Sequence, residues 1–184
     1  MKAQVEPSIA KRSFPPVADE RARVLVLGTL PGEESLRRQE YYAHPRNLFW
    51  PIVFALFDKS PAEDYAERLA FVSARRIALW DVCELAEREA SADAAIRRER
   101  PNAIDRLLDE HPLIRAVAFN GGGARRLYDR HFSRRPGLTY LALPSTSPAH
   151  ARLDFAAKLA RWTELRDALS GRAQTQHKSP LTTA

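Results

Sequence analysis

Side chains able to do polar chemistry gather in four short stretches of this 184-residue chain. The densest is Tyr41-Tyr42-Ala43-His44-Pro45-Arg46-Asn47-Leu48-Phe49-Trp50. Tyrosines beside an arginine suit base stacking combined with phosphate contact. Asn47 stands just ahead of an apolar run, where a carboxamide serves either chemistry or the N-cap of a helix. A second stretch, Gly28-Thr29-Leu30-Pro31-Gly32, is a Gly/Pro turn without the G-x-G-x-x-G spacing. The chain has no G-x-x-x-x-G-K-[ST] either, so no nucleotide cofactor is expected. A third, Asn120-Gly121-Gly122-Gly123, follows an apolar run and reads as an anion cradle or as a tight strand-to-helix turn. The fourth, Pro144-Ser145-Thr146-Ser147-Pro148-Ala149-His150, brings three hydroxyls and an imidazole together. His150 there is a site residue or a solvated loop histidine. Paired with Ser145 or Ser147 it has the makings of a hydrolase, although the G-x-S-x-G elbow is absent.

Other chemistries are excluded by what is missing. The five histidines, His44, His111, His131, His150 and His177, form no H-x-x-x-H or H-E-x-x-H pair. The lone Cys83 rules out an intramolecular disulfide, a thiolate zinc site and an iron–sulfur cluster. It reads as a small buried hydrophobe. Charge says more. Lys and Arg total 29 against 23 acids, a formal +6, and 24 of those cations are Arg. Guanidinium matches phosphate oxygens, so the surplus suggests a polyanionic partner; GC-rich coding bias is the plain alternative.

The elements that must position these stretches follow from apolar patterning. Val24 to Leu27, Ile77 to Val82, Ile114 to Phe119 and Leu138 to Leu143 are nearly all apolar, as strands buried on both faces are. Between them helices are expected from Phe49 or Trp50 to Phe57, from Ala62 to Arg75, after Asn102 through Leu108, and from Ala124 to His131. Arg152 to Leu169 closes the chain as an amphipathic helix. Strands alternating with helices predict an α/β fold, a three-layer α/β/α sandwich on a mainly parallel four-stranded central sheet. The domain is expected over 23–171, with an N-terminal tail at 1–22 and a disordered C-terminal tail at 172–184. In such folds the site lies beyond the carboxyl ends of the strands, where Gly28 to Gly32, Asp81, Asn120-Gly121 and Pro144 to His150 fall in turn and define one crevice. The N-terminal residues hold no apolar signal region and no run is long enough to span a membrane. A soluble protein of a bacterial-type cytosol, associated with the nucleoid and monomeric, is expected.

The spacing G-x-x-P-G, about a dozen residues, then A-H-P-x-N-x-F-W resembles the uracil-DNA glycosylase superfamily. Phe119-Asn120-Gly121 and Leu143 to His150 are similar to its third-strand element and to the loop that enters the minor groove. The resemblance covers Val24 to Arg152. It departs at Leu30, where the mismatch-specific branch has Asn and the uracil-specific branch Asp. The sequence is most similar to the hypoxanthine-DNA glycosylases (DNA-deoxyinosine glycosylases), which share this departure and whose catalytic amide falls on Asn47. The resemblance implies a monofunctional base-excision repair enzyme. It would hydrolyse the N-glycosidic bond of hypoxanthine or uracil flipped out of damaged DNA and leave an abasic site, with no cofactor and no metal. Asn47 and His150 would be catalytic. Gly28, Thr29, Leu30, Pro31, Gly32, Tyr42 and Asn120 would hold the base, Tyr42 by stacking and Asn120 by its Watson–Crick edge. Arg46, Ser145, Thr146, Ser147, Pro148 and Ala149 would hold DNA. No lysine is expected near the motifs, so a Schiff-base lyase step is not expected. A catalytically inactive damage-binding module, a Ser/His ester hydrolase and a structural basic protein remain as alternatives.

Overall fold

The computed structural model describes residues 10–88 and 96–171. Its centre is a four-stranded parallel sheet in the order β3-β2-β6-β7, built from β2 (Val24–Gly28), β3 (Ile77–Asp81), β6 (Ala116–Asn120) and β7 (Thr139–Leu143). Every residue of β2, β3 and β6 is buried, which is why those segments read as unbroken apolar runs. One face packs Leu25, Leu27, Ala78, Phe119, Leu127 and Tyr128 with α4 (Ile104–Glu110) and α5 (Gly122–His131). The other packs Val24, Val26, Leu79, Phe49, Trp50 and Trp162 with α2 (Phe49–Ala55), α3 (Tyr65–Ala74) and α6 (Phe155–Leu169). The fold is the expected three-layer sandwich.

A second sheet was not legible. β1 (Ala10–Arg12), β4 (Cys83–Arg88) and β5 (Ile96–Pro101) form an antiparallel sheet in the order β1-β4-β5. Chain expected as an N-terminal tail therefore includes a strand, and Val17 bridges to Leu79 further along it. The expected second strand also ends sooner. At Val82 the chain leaves the parallel sheet, with the Val82 and Cys83 N–H groups donating to the Gly28 and Thr29 carbonyls. Charged residues hid these strands from apolar patterning, because ion pairs such as Arg12–Glu84 and Arg100–Glu84 lie across them. Helix α1 (Glu33–Arg38) was missed as well, being a six-residue element directly after the Gly32 turn. The C-terminal tail expected at 172–184 lies outside the described residues.

Candidate active site

The register of the parallel sheet assembles the site. β2 and β3 end side by side at Gly28 and Asp81, and β6 and β7 at Asn120 and Leu143. The turns that follow bound a pocket of about 310 Å³ lined by Gly28 to Ser35, Tyr41, Tyr42, His44, Asn47, Asp81, Asn120 and Ser145 to Pro148. That volume lies at the small end of ligand sites and suits one planar heterocycle. All four sequence stretches meet there.

The aromatic segment is held by its backbone. The Tyr65 hydroxyl accepts from the Tyr41 N–H, Ser35 Oγ accepts from the Ala43 N–H, and Trp50 Nε1 donates to the Tyr41 carbonyl. Tyr42 sits at φ 56°, a left-handed conformation unusual for a tyrosine, and its ring stacks on Phe49 with centroids 3.9 Å apart. Phe49 therefore backs the ring that lines the pocket. Burial pushes the Tyr41 hydroxyl well above the usual tyrosine range, with the nearby Asp81 adding to it. Tyr41 stays neutral.

Asn47 lies one residue ahead of the N-cap of α2, Leu48, and holds the first helical amide from there. Its Oδ1 accepts from the Phe49 N–H at 2.9 Å, at the start of α2, and the side chain also lines the pocket. Its Nδ2 and the second lone pair of Oδ1 are left for other partners. Leu30 is buried, packed in the core cluster and present in the pocket wall.

Asn120 lies differently from expectation. It lines the pocket, but its Nδ2 donates to Thr146 Oγ1 and its Oδ1 accepts from the Thr146 N–H, both at 2.9 Å. This reciprocal pair fixes the loop 144–150 to the end of β6. Thr146, expected on the DNA face, is consequently fully buried, because its hydroxyl is turned inward to Asn120. Gly121 makes the close approach possible: its φ is 98°, and a Cβ there would stand 2.8 Å from Ser145 Cβ. The glycine run makes a tight strand-to-helix turn, with α5 starting at Gly122. Leu48 N–H donates to the Thr146 carbonyl, tying the aromatic segment to the same loop.

Ser145, Ser147 and Pro148 line the pocket, whereas Arg46, Ala149 and His150 do not and are exposed. Ser145 Oγ accepts from the Ser147 N–H and Ser147 Oγ from the Ala149 N–H. His150, expected to be catalytic, is held through its backbone: its N–H donates to the Ser147 carbonyl and its carbonyl accepts from Lys158 Nζ at 2.9 Å. No hydrogen bond joins its ring to a serine among the described residues. Lys158 also corrects the expectation that no lysine lies near the motifs. It reaches under the loop from α6 and is 3% exposed, a proximity that twelve residues of chain after Thr146 concealed.

Two residues of the pocket wall were given no role in the sequence reading, although Asp81 was placed at the crevice. Asp81 is a buried carboxylate in the pocket wall, and a Cβ at Gly28 would stand 2.5 Å from its Oδ1. His44, Nδ1 of which accepts from the Arg46 N–H, also lines the pocket. The only signal for Asp81 was its place at the carboxyl end of an apolar strand. Cys83 is buried, as expected. Among the described residues no group of His, Cys, Asp or Glu is arranged to hold a metal ion, and no helix is long and apolar enough to cross a membrane.

Comparison with known proteins adds a family. The model of the uracil DNA glycosylase superfamily matches residues 15–166. A hypoxanthine DNA glycosylase of Methanosarcina acetivorans is 38% identical over 143 residues, covering 77% of this chain and 89% of the relative. A protein of the same name from Methanosarcina barkeri is 38% identical over 112 residues, covering 60% and 71%. A solution NMR structure of a Methanosarcina acetivorans protein, provisionally described as a uracil DNA glycosylase, superposes with a TM-score of 0.74 at 33% identity. It covers 88% of this chain and 99% of its own.

Proposed function

The chain belongs to the uracil DNA glycosylase superfamily, and from that premise we propose that it hydrolyses the N-glycosidic bond of a deaminated base, hypoxanthine foremost, flipped out of DNA. One observation carries the reading: Tyr42, Asn47 and the Gly28–Gly32 turn, which lie on separate segments, line a single base-sized pocket. The names of the Methanosarcina relatives support hypoxanthine as the first substrate to try.

A base inside the stack is out of reach, so the nucleotide must rotate into the pocket at a cost of a few kcal/mol, least for a weakly paired base. Tyr42, backed by Phe49, offers a face for the base, and stacking of this kind is worth roughly 1–3 kcal/mol. As the bond to C1′ lengthens, the sugar takes on oxocarbenium character and the base becomes an anion. Backbone amides of the Gly28–Gly32 turn would stabilise that anion. The Asn47 carboxamide, its oxygen already oriented by the Phe49 N–H, would direct water toward C1′. Leu30 can do neither job, so the catalytic amide has to come from another segment. Ser145 and Ser147 would meet the phosphates beside the flipped nucleotide. No step is assigned to His150, whose side chain lies outside the pocket wall. Lys158 is also absent from that wall, which supports a monofunctional enzyme that releases an abasic site.

The test is incubation of end-labelled duplexes carrying deoxyinosine, deoxyuridine or deoxyxanthosine, followed by alkali. Strand cleavage after alkali alone is the expected result. Cleavage without alkali would make the enzyme a lyase as well. No product from any of the three, with tight binding to the same duplexes, would establish the inactive damage-binding module with which Leu30 is compatible.

A further inference from the structure

A second cavity opens beside the base pocket. It holds about 220 Å³ and is lined by Arg38, His44 and Arg68 together with Pro45, Pro51 and Pro61. Tyr42, His44 and Asn47 stand in the walls of both cavities, whereas the loop 144–150 borders only the first. The two therefore adjoin across the segment 42–47. Topology places both on the same edge of the sheet. α3 runs back toward the start of β3 at Ile77, so its first turn, with Tyr65 and Arg68, lies near the carboxyl ends of the strands. The bond from the Tyr41 N–H to the Tyr65 hydroxyl fastens that turn to the aromatic segment.

The side chains of this cavity suit an anion. Arg68 Nε donates to the Ala62 carbonyl at 2.7 Å, and its guanidinium lies over the Trp50 ring, 5.9 Å from the centroid. These contacts orient the fork and leave its terminal nitrogens for another partner. Arg68 forms no ion pair among the described residues. Arg38 meets Glu40 through its Nε at 3.3 Å, so its terminal nitrogens too can turn to the cavity. His44 Nδ1 accepts from the Arg46 N–H, which leaves the proton of the neutral ring on Nε2 as a donor. No acidic side chain lines the cavity among the described residues. Trp50 is 3% exposed beneath Arg68 and offers no face for a second base.

We propose that this cavity seats one backbone phosphate of the lesion strand, next to the flipped nucleotide, with Arg68 as its principal ligand and Arg38 and the His44 Nε2–H beside it. The proposal rests on the glycosylase reading and deepens it. Ser145 and Ser147 hold the strand from the side of the loop, and Arg68 holds it from beyond Tyr42 and Asn47. The nucleotide between them is strung across the mouth of the base pocket. A guanidinium already fixed by a carbonyl and a ring loses little freedom when it takes a phosphate oxygen, and its planar fork matches two such oxygens at once.

Removing strand charges one at a time tests this. Duplexes carry 2′-fluorodeoxyinosine, whose glycosidic bond resists hydrolysis, and one uncharged methylphosphonate at each neighbouring phosphate in turn. Binding by fluorescence anisotropy is measured for the wild type, Arg68→Gln and Arg38→Gln, with a thermal melt of each protein. One position is expected to weaken the wild type about tenfold, and at that position alone Arg68→Gln loses nothing further. Arg38→Gln shows a smaller coupling at the same phosphate. An Arg68→Gln protein that loses as much as the wild type at every position overturns the proposal, as does one that binds like the wild type throughout. Should Arg68→Gln fail to fold, Arg38→Gln decides: coupling at one phosphate upholds the proposal and its absence overturns it. Inorganic phosphate at matched ionic strength that raises the Tm of the wild type alone, without coupling to any strand phosphate, makes this a site for a free anion and overturns the strand assignment. A wild type that excises nothing from a deoxyinosine duplex refutes the glycosylase reading, while the binding cycle still decides the role of Arg68.

Discussion

Asn47 holds two jobs that substitutions can separate. Its Oδ1 caps the Phe49 N–H, and its carboxamide faces the pocket. Asn47→Ala removes both. The lost cap costs about 1 kcal/mol, which for a chain of this length lowers Tm by roughly 2–4 °C. Asn47→Ser keeps a good capping oxygen on a side chain too short to direct water. We expect Asn47→Ser to melt near the wild type, and both variants to slow single-turnover excision by about a hundredfold or more. A Ser variant with the wild-type rate would reduce Asn47 to a cap. Sequence spacing left the two roles level because a helix start and a catalytic amide ask for the same residue type. Asp81 was harder to read, since its meaning depends on register with Gly28, and register is absent from a linear pattern.

The loop 144–150 owes its shape to two neighbours, β6 and α6. Asn120 at the end of β6 satisfies both the N–H and the hydroxyl of buried Thr146. Asn120→Ala leaves those groups unpaired at a cost of about 1–3 kcal/mol and should raise KM for lesion DNA as the loop loosens. A variant with unchanged Tm would mean that the loop is fixed elsewhere. From below, Lys158 holds the His150 carbonyl, and burial pulls its ammonium below the ordinary lysine pKa of 10.5. The unfolded chain then binds that proton more tightly than the folded one. Burying the charge thus weakens the fold at neutral pH, and the loss is recovered as pH rises toward 10.5. Lys158→Met should accordingly be at least as stable as the wild type at pH 7, with the difference narrowing in melts at pH 9 and 10. A variant clearly less stable at pH 7 would show that the bond to His150 outweighs the burial. The four parallel strands were legible because burial on both faces leaves an all-apolar run. β1, β4 and β5 were not, because charged residues that pair across strands interrupt any apolar pattern: Arg12 with Glu84, and Arg98 with Glu87.

At the scale of the whole molecule, the count of 24 arginines overstates how much basic surface is free for DNA. Arg21, Arg37, Arg106, Arg134 and Arg135 are engaged by acids, Arg135 by Asp105 and Asp109 together. Arg46 and Arg152 form no ion pair among the described residues. Both are exposed and belong to the segments that carry the pocket and its loop. Phosphate contact should therefore come from these two ahead of the paired arginines. Each phosphate neutralised contributes about −0.9 to the slope of log K against log salt. Arg46→Ala and Arg152→Ala should each flatten that slope by about one, on damaged and undamaged duplex alike, while Arg106→Ala leaves it unchanged. The preference for a lesion should stay level across the salt series, because stacking on Tyr42 and reading of the base edge release no counterions. A preference that fades with salt would mean that lesion binding is made of phosphate contacts, and the pocket would lose its place as the source of specificity.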